Sequence, residues 1–280
     1  PNWNGPMEYS TDTTTWSTWS GGNITSIYDG VKYSIYFRGT GNTRVAGNAA
    51  TIYPNGGPTI YKNQWQIAGS NVECVGNIEN LLDYATVTSG KHPVIGEYAF
   101  ACMFIDCTSL IAAPILPAIT LTKQCYSHMF KGCTNLTTAP KLPATMAKYY
   151  CYSAMFKGCT SLTAAPALPA TTLESNCYQN MFYGCTNLTA VPELPATTVV
   201  YSCYDGMFYG CKSLKVSETK TEICQYAWRI PTSGMGVLTP NNYYFWNDNT
   251  FSGTGGTFTG DPSINTTYYM ENAPVISETS

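Results

Sequence analysis

From residue 98 to residue 216 the apolar positions follow neither a simple strand nor a simple helix alternation; they repeat every 26 residues. Met-Phe pairs stand at 103/104, 129/130, 155/156, 181/182 and 207/208. The same step carries Cys107, Cys133, Cys159, Cys185 and Cys211, then Leu110, Leu136, Leu162, Leu188 and Leu214, and also Pro117, Pro143, Pro169 and Pro195. A fixed period of this length marks a chain of supersecondary units, none of which can bury its own apolar face alone. Five such units predict an α/β solenoid, with a sixth, decayed echo at Phe251 in NTFSGTGG.

Local patterning assigns elements inside one unit. In CYSAMFKG, Cys151 and Met155 lie four apart, as do Tyr152 and Phe156, which predicts a short helix ended by Gly158 as a left-handed cap. TSLTAAP predicts a short strand with Leu162 turned inward, closed by Pro166 because proline cannot donate to a ladder. PALPA, with two prolines three apart, favours an extended polyproline-like return. Stacked units would bury Met, Phe and Leu at roughly 1.5 to 3 kcal/mol per side chain.

The flanks read differently. In VKYSIYFRG, Val31, Tyr33, Ile35 and Phe37 alternate with Lys32, Ser34, Tyr36 and Arg38, and Asp29-Gly30 precedes them as a hairpin turn after NITSIY. Residues 1–70 are therefore expected to form a β module. Residues 71–97 are expected to hold a strand and a short helix, with Ile78, Leu81 and Leu82 covering the open end of the first repeat, since a stack of repeats needs caps. The repeat array occupies 98–216. Residues 217–280, with GTGGTFTG and NTTYYM, suit short strands and turns over the last repeat, and disorder is expected at APVISETS.

Composition narrows the function classes. Hydrophobic residues make up 44% of the 280, enough for a sizeable core, whereas charged residues make up only 11% and the net charge is −3. No basic block is present, so neither nucleic acid nor an anionic membrane is an expected partner. No apolar run reaches the roughly 18 residues that span a bilayer, and the start at Pro1 without a leader reads as a mature or excised piece.

MFKGCTSL and the LP-containing return after it resemble the BspA-like class of leucine-rich repeat, over about residues 98 to 216. The AF/MF, GC and Leu columns all match; the second cysteine in CY and the second proline depart from the pattern. The resemblance implies a scaffold displayed on surfaces of host-associated microbes, or carried by their phages, that binds other molecules. MEYSTDTTTWSTW is similar to segments of small β-sandwich modules at the front of such surface proteins.

Several stretches imitate chemistry. Nine of the twelve cysteines fall in two repeat columns, eight residues apart within a unit. Tetrahedral zinc uses tighter pairs and the only histidines are His92 and His128, so neither a metal nor any other cofactor is expected. A helix would hold Cys151 and Cys159 about 12 Å apart, beyond bridging range, which favours buried free thiols over disulfides unless the chain folds back after Gly158. LPATT imitates a sorting signal but recurs at 194–198 without the following glycine, so it reads as the return of the coil. In the sequons at Asn135 and Asn187 the leucine belongs to the core column, which makes the asparagine a turn residue; Asn23 and Asn265 also fit the pattern. No GxSxG, HExxH or P-loop is present, so no enzyme is expected; Asp29, Glu73 and Glu97 would have to converge for a hydrolase.

What remains is surface recognition by the positions that change between repeats. These are Lys131, Lys157, Tyr183 and Tyr209 before the glycine, and Tyr149, Tyr150 and Tyr201 in the loops, with Trp16 and Trp19 as a separate patch on the β module. Tyrosines among small polar groups suit glycan or glycoprotein surfaces. The expected function is a non-enzymatic extracellular adhesion protein at a cell or virion surface, recognising host or community glycans or proteins. The alternative is a phage fibre or head-decoration protein for host attachment, expected to be trimeric.

Overall fold

A computed structural model describes residues 3–46, 65–190, 192–229, 233–234, 250–260 and 266–271. Its centre is a stack of 26-residue coils joined by backbone hydrogen bonds from each coil to the next. In the second coil, the amides of Gln124, Tyr126, His128, Phe130 and Gly132 donate to the carbonyls of Tyr149, Cys151, Ser153, Met155 and Lys157. The intervening amides of Cys125, Ser127, Met129, Lys131 and Cys133 donate to the carbonyl three residues back in their own coil.

This arrangement replaces the expected helix. CYSAMFKG is a run of tight turns in which every fourth residue is left-handed: Tyr150, Ala154 and Gly158 in one coil, Asn176, Asn180 and Gly184 in the next. Gly158 is left-handed as expected, with φ +76°, but it is the third of a series and caps no helix. A helix would satisfy its interior amides internally and leave none to join the coils. The turn ladder keeps half for that purpose, and its cross-coil bonds offset the roughly 1 to 2 kcal/mol cost of each left-handed non-glycine residue.

The side chains stack in register. Phe104, Phe130, Phe156, Phe182 and Phe208 lie 5.6–5.7 Å from one another, nearly parallel. Tyr126, Tyr152, Tyr178 and Tyr204 form a second ring ladder at 5.6–6.0 Å. Phe251 continues the first ladder 5.9 Å from Phe208, and Phe208 and Gly210 donate to Thr250 and Ser252 as their counterparts do in earlier coils. The echo at Phe251 is thus a sixth unit, reached across the intervening segment.

Leucines of the Leu162 column are buried, but the expected strand there is reduced, between Leu162 and Leu188, to an isolated bridge, Ala164 to Ala190. Among the described residues a strand stands at that place in the first coil, β7 (Leu110–Ala112), which pairs in parallel with β6 (Val72–Glu73), and in the fifth, β11 (Val216–Ser217). The other short strands lie in the return expected to be polyproline-like: β8 (Met146–Ala147) pairs in parallel with β9 (Thr172–Leu173), followed by β10 (Thr198–Val199). The residues after the second proline have free amides and can pair, whereas the prolines themselves cannot.

At the N-terminal side, β1 (Met7–Ser10) is flanked antiparallel by β2 (Ser17–Thr18) and β5 (Tyr36–Gly39). β3 (Ile27–Tyr28) and β4 (Tyr33–Ser34) form the hairpin at Asp29-Gly30, whose turn is held by the Asp29 carboxylate accepting from the Val31 and Lys32 amides. The alternation does not bury that hairpin: Val31 is 85% exposed and Tyr33 69%. α1 (Asn80–Thr88) carries Leu81 and Leu82 into the same core as the repeats, and Ile78 joins them. At the other end, β11 (Val216–Ser217), β14 (Thr267–Met270) and β12 (Tyr226–Arg229) form one antiparallel sheet in that spatial order, while β13 (Ser233–Gly234) pairs with β10. The sequon at Asn265 and the segment APVISETS lie outside the described residues.

Candidate ligand-binding face of the repeats

The residue before the left-handed glycine cannot turn into the core, because the phenylalanine before it already does. In successive coils this position is Lys131, Lys157, Tyr183 and Tyr209, all half-buried. The structure brings them into one ladder. The Lys157 ammonium sits 3.9 Å above the Tyr183 ring, and Tyr183 stacks on Tyr209 at 4.5 Å and 11°. Two cations therefore continue directly into two parallel aromatic rings.

Beside the cationic half lies a recess of about 170 Å³. Lys131, Tyr150 and Lys157 line it together with His128, Ser153 and Asn180, with Ala154 and Gln179 completing the wall. His128, Ala154 and Asn180 share the middle left-handed position of successive coils, with φ between 51° and 57°. Their signal in the sequence is a further variable column at the 26-residue step: Cys102, His128, Ala154, Asn180 and Gly206.

No carboxylate is among the lining residues. His128 is 8% exposed, and burial, reinforced by Lys131 and Lys157, lowers its imidazole to about 3, so it is neutral at physiological pH. Burial, then the neighbouring Lys131 charge, lowers the Lys157 ammonium as well. The Ser127 hydroxyl lies 2.8 Å from His128 Nδ1, but it is sealed from solvent and is no exposed nucleophile. The Gln179 amide donates to Asp205 at 2.8 Å.

The other predicted residues are placed less coherently. Tyr149 stands edge-on to Tyr150 at 4.6 Å, while Tyr201 lies half-buried two coils further on, its carbonyl accepting from Asn176. Trp16 and Trp19 do not form one patch. Arg38 lies 3.9 Å over Trp16, whereas Trp19 stacks on Trp3 at 4.6 Å and touches Phe37 and Trp65 against the main core. Asp29, one of the three carboxylates a hydrolase would have needed, is committed to its hairpin turn.

The imitations of chemistry resolve into packing. All twelve cysteines are free thiols. In one column, Cys133, Cys159, Cys185 and Cys211 donate to the carbonyls of Phe104, Phe130, Phe156 and Phe182 at 3.0–3.1 Å, a thiol ladder between coils. Burial pushes Cys185 up to about 12, which keeps it protonated as that donor role requires. In LPATT, Leu168 and Ala170 are buried. The Asn135 amide donates to the Thr108 carbonyl of the preceding coil at 2.7 Å, as a turn residue should. Among the described residues, no cluster of three His, Cys, Asp or Glu could hold a metal, and no helix is long and apolar enough to cross a membrane.

The registered coils and the sixth unit agree with a family comparison: the model described as "BspA type Leucine rich repeat region" matches six copies, over residues 86–215 and 152–265. Together these matches cover well over half of the chain. The chain belongs to the BspA-type leucine-rich repeat family. Proteins of this family are commonly adhesion-related and surface-associated or extracellular, and typically serve as non-enzymatic interaction scaffolds. No curated protein and no solved structure matches the chain.

Proposed function

We propose that this BspA-type repeat protein is an extracellular adhesion protein whose solenoid binds surface glycans or glycoproteins through the ladder Lys131, Lys157, Tyr183 and Tyr209. The observation that carries this reading is the ladder itself: two stacked tyrosines continuing into two lysines beside a polar recess. Aromatic faces stack on the C–H faces of sugars, while lysine, amide and hydroxyl groups donate to sugar oxygens. Such a surface binds without a nucleophile and a base held in catalytic geometry.

The test is a panel of immobilised glycans and mucins probed with the full chain and with Tyr183→Ala/Tyr209→Ala. Binding of at least one saccharide class is expected, weakened about fivefold in the double variant, as the loss of about 1 kcal/mol of ring contact implies. Absence of all binding at millimolar saccharide would sink this reading.

A further inference from the structure

The aromatic ladder at the variable position stops one coil before the stack does. The Gly158 amide donates to the Tyr183 carbonyl, Gly184 to the Tyr209 carbonyl and Gly210 to the Ser252 carbonyl. Ser252 therefore holds in the sixth coil the place that Tyr183 and Tyr209 hold in the fourth and fifth. Phe251 beside it extends the phenylalanine ladder, but Ser252 adds no ring. Tyr183 and Tyr209 are parallel to within 11° at 4.5 Å, so their faces look along the stack and their edges look outward. Tyr183 has both faces occupied, one by the Lys157 ammonium at 3.9 Å and the other by Tyr209. The outer face of Tyr209 carries no ring among the described residues, and a serine side chain is too short to cover it. Tyr209 and Ser252 are half-buried and Gly253 is exposed, so the notch between the two coils opens to solvent.

We infer that this notch binds one pyranose ring of a saccharide, stacked on the outer face of Tyr209 above Ser252 as the next rung of the ladder. The inference rests on the glycan reading above and deepens it, assigning the stacking contact to one face of one tyrosine. A gap left by one missing side chain admits one ring. Its wall is aromatic and its floor is a hydroxyl, so the ring that fits is apolar on one side and hydroxylated at the rim, as a pyranose is. A purely hydrocarbon ring would press the Ser252 hydroxyl against carbon, which costs free energy.

The experiment follows backbone amides of the isotopically labelled full chain by NMR. The probes are methyl β-galactopyranoside, methyl β-glucopyranoside, N-acetylglucosamine and p-cresol, the last an aromatic ring without the hydroxyl rim of a sugar. The titrations are repeated on Ser252→Tyr, which fills the notch with the ring that earlier coils carry there, and on Ser252→Ala, which leaves it open. A third variant, Tyr209→Ala, removes the stacking face. At least one saccharide is expected to shift the amides of Tyr209, Gly210 and Gly253 in the unmodified chain and in Ser252→Ala. Its affinity is expected to fall about tenfold in Tyr209→Ala and at least as far in Ser252→Tyr, with the thermal midpoint of Ser252→Tyr unchanged.

Saccharide binding that persists in Ser252→Tyr, or that shifts amides elsewhere on the solenoid, overturns the notch and leaves the glycan reading standing. If Ser252→Tyr lowers the thermal midpoint, Tyr209→Ala decides, and undiminished binding there overturns the notch. Shifts from p-cresol alone assign the notch to an aromatic side chain of a protein partner and overturn the saccharide assignment. No shift at these amides from any of the four probes also overturns it, while the immobilised panel above decides the glycan reading separately.

Discussion

The repeats and the N-terminal residues 3–46 are held by opposite strategies. In the repeats the same contacts are made again from coil to coil: the phenylalanine ladder, the tyrosine ladder, the thiol-to-carbonyl bonds and, in the turn ladder of the central coils, five cross-coil amide bonds per junction. The N-terminal sheet docks through contacts made once. The Asn42 side-chain amide donates to the Pro6 and Leu81 carbonyls, the Gly41 amide donates to the Asp83 carboxylate, and the Val45 amide donates to the Ala99 carbonyl. Gly39 passes so close to α1 that an added Cβ would overlap the Leu81 carbonyl oxygen. Redundancy spreads the loss of one contact over its neighbours; a single docking seam has no such reserve.

Four measurements would break or sharpen this contrast. Phe156→Ala removes a ring stacked between Phe130 and Phe182 and is expected to cost about 3 to 5 kcal/mol by denaturant titration, the largest effect. If the cost fell below about 1 kcal/mol, the ladders would not be what holds the coils. Gly39→Ala is expected to cost about 1 to 3 kcal/mol by overpacking. Here limited proteolysis should show residues 3–46 released while the coils stay protected. Release of both together would make sheet and coils one cooperative unit and remove the distinction.

The third measurement uses pH. His128 has a folded value of about 3 against 6.5 for an unperturbed histidine, so the folded state binds fewer protons than the unfolded state between those limits. Stability from this group is full above pH 6.5 and falls as pH drops toward 3. His128→Asn should be less acid-sensitive than the unmodified chain by on the order of 1 kcal/mol at pH 5, read by denaturant titration at pH 7 and pH 5. An unchanged pH slope would mean that the imidazole is not sealed in its coil. The smallest effect is expected from Tyr152→Phe. The Tyr152 hydroxyl is buried with no hydrogen-bond partner, so its removal should leave stability unchanged or raise it by up to about 1 kcal/mol. A clear loss would reveal a partner for that hydroxyl.

How much was legible follows from which signals are periodic. The 26-residue step, the inward Leu, Met and Phe columns, the unit at Phe251 and the free thiols were readable, because each coil must offer the next the same side chains. The hairpin at Asp29-Gly30 was readable from its turn, but the exposure of Val31 and Tyr33 was not, since alternation does not say whether anything covers the inner face. CYSAMFKG forms turns where its spacing predicts a helix, because a ladder of four-residue turns shares the i, i+4 spacing of a helix. Side-chain spacing is equal in the two; the destination of the amide hydrogens differs.

The sequence by itself determined the period, the core columns, the family and the ladder of Lys131, Lys157, Tyr183 and Tyr209, since all of these are written as one residue type, or one variable slot, per coil. Only the tertiary structure decided that alternate amides leave the coil, that every fourth residue is left-handed, and that His128 and Asn180 from different coils close a recess around two lysines. Hydrogen-bond direction and the meeting of side chains from neighbouring coils are properties of the stack, and a single unit read along the chain does not contain them.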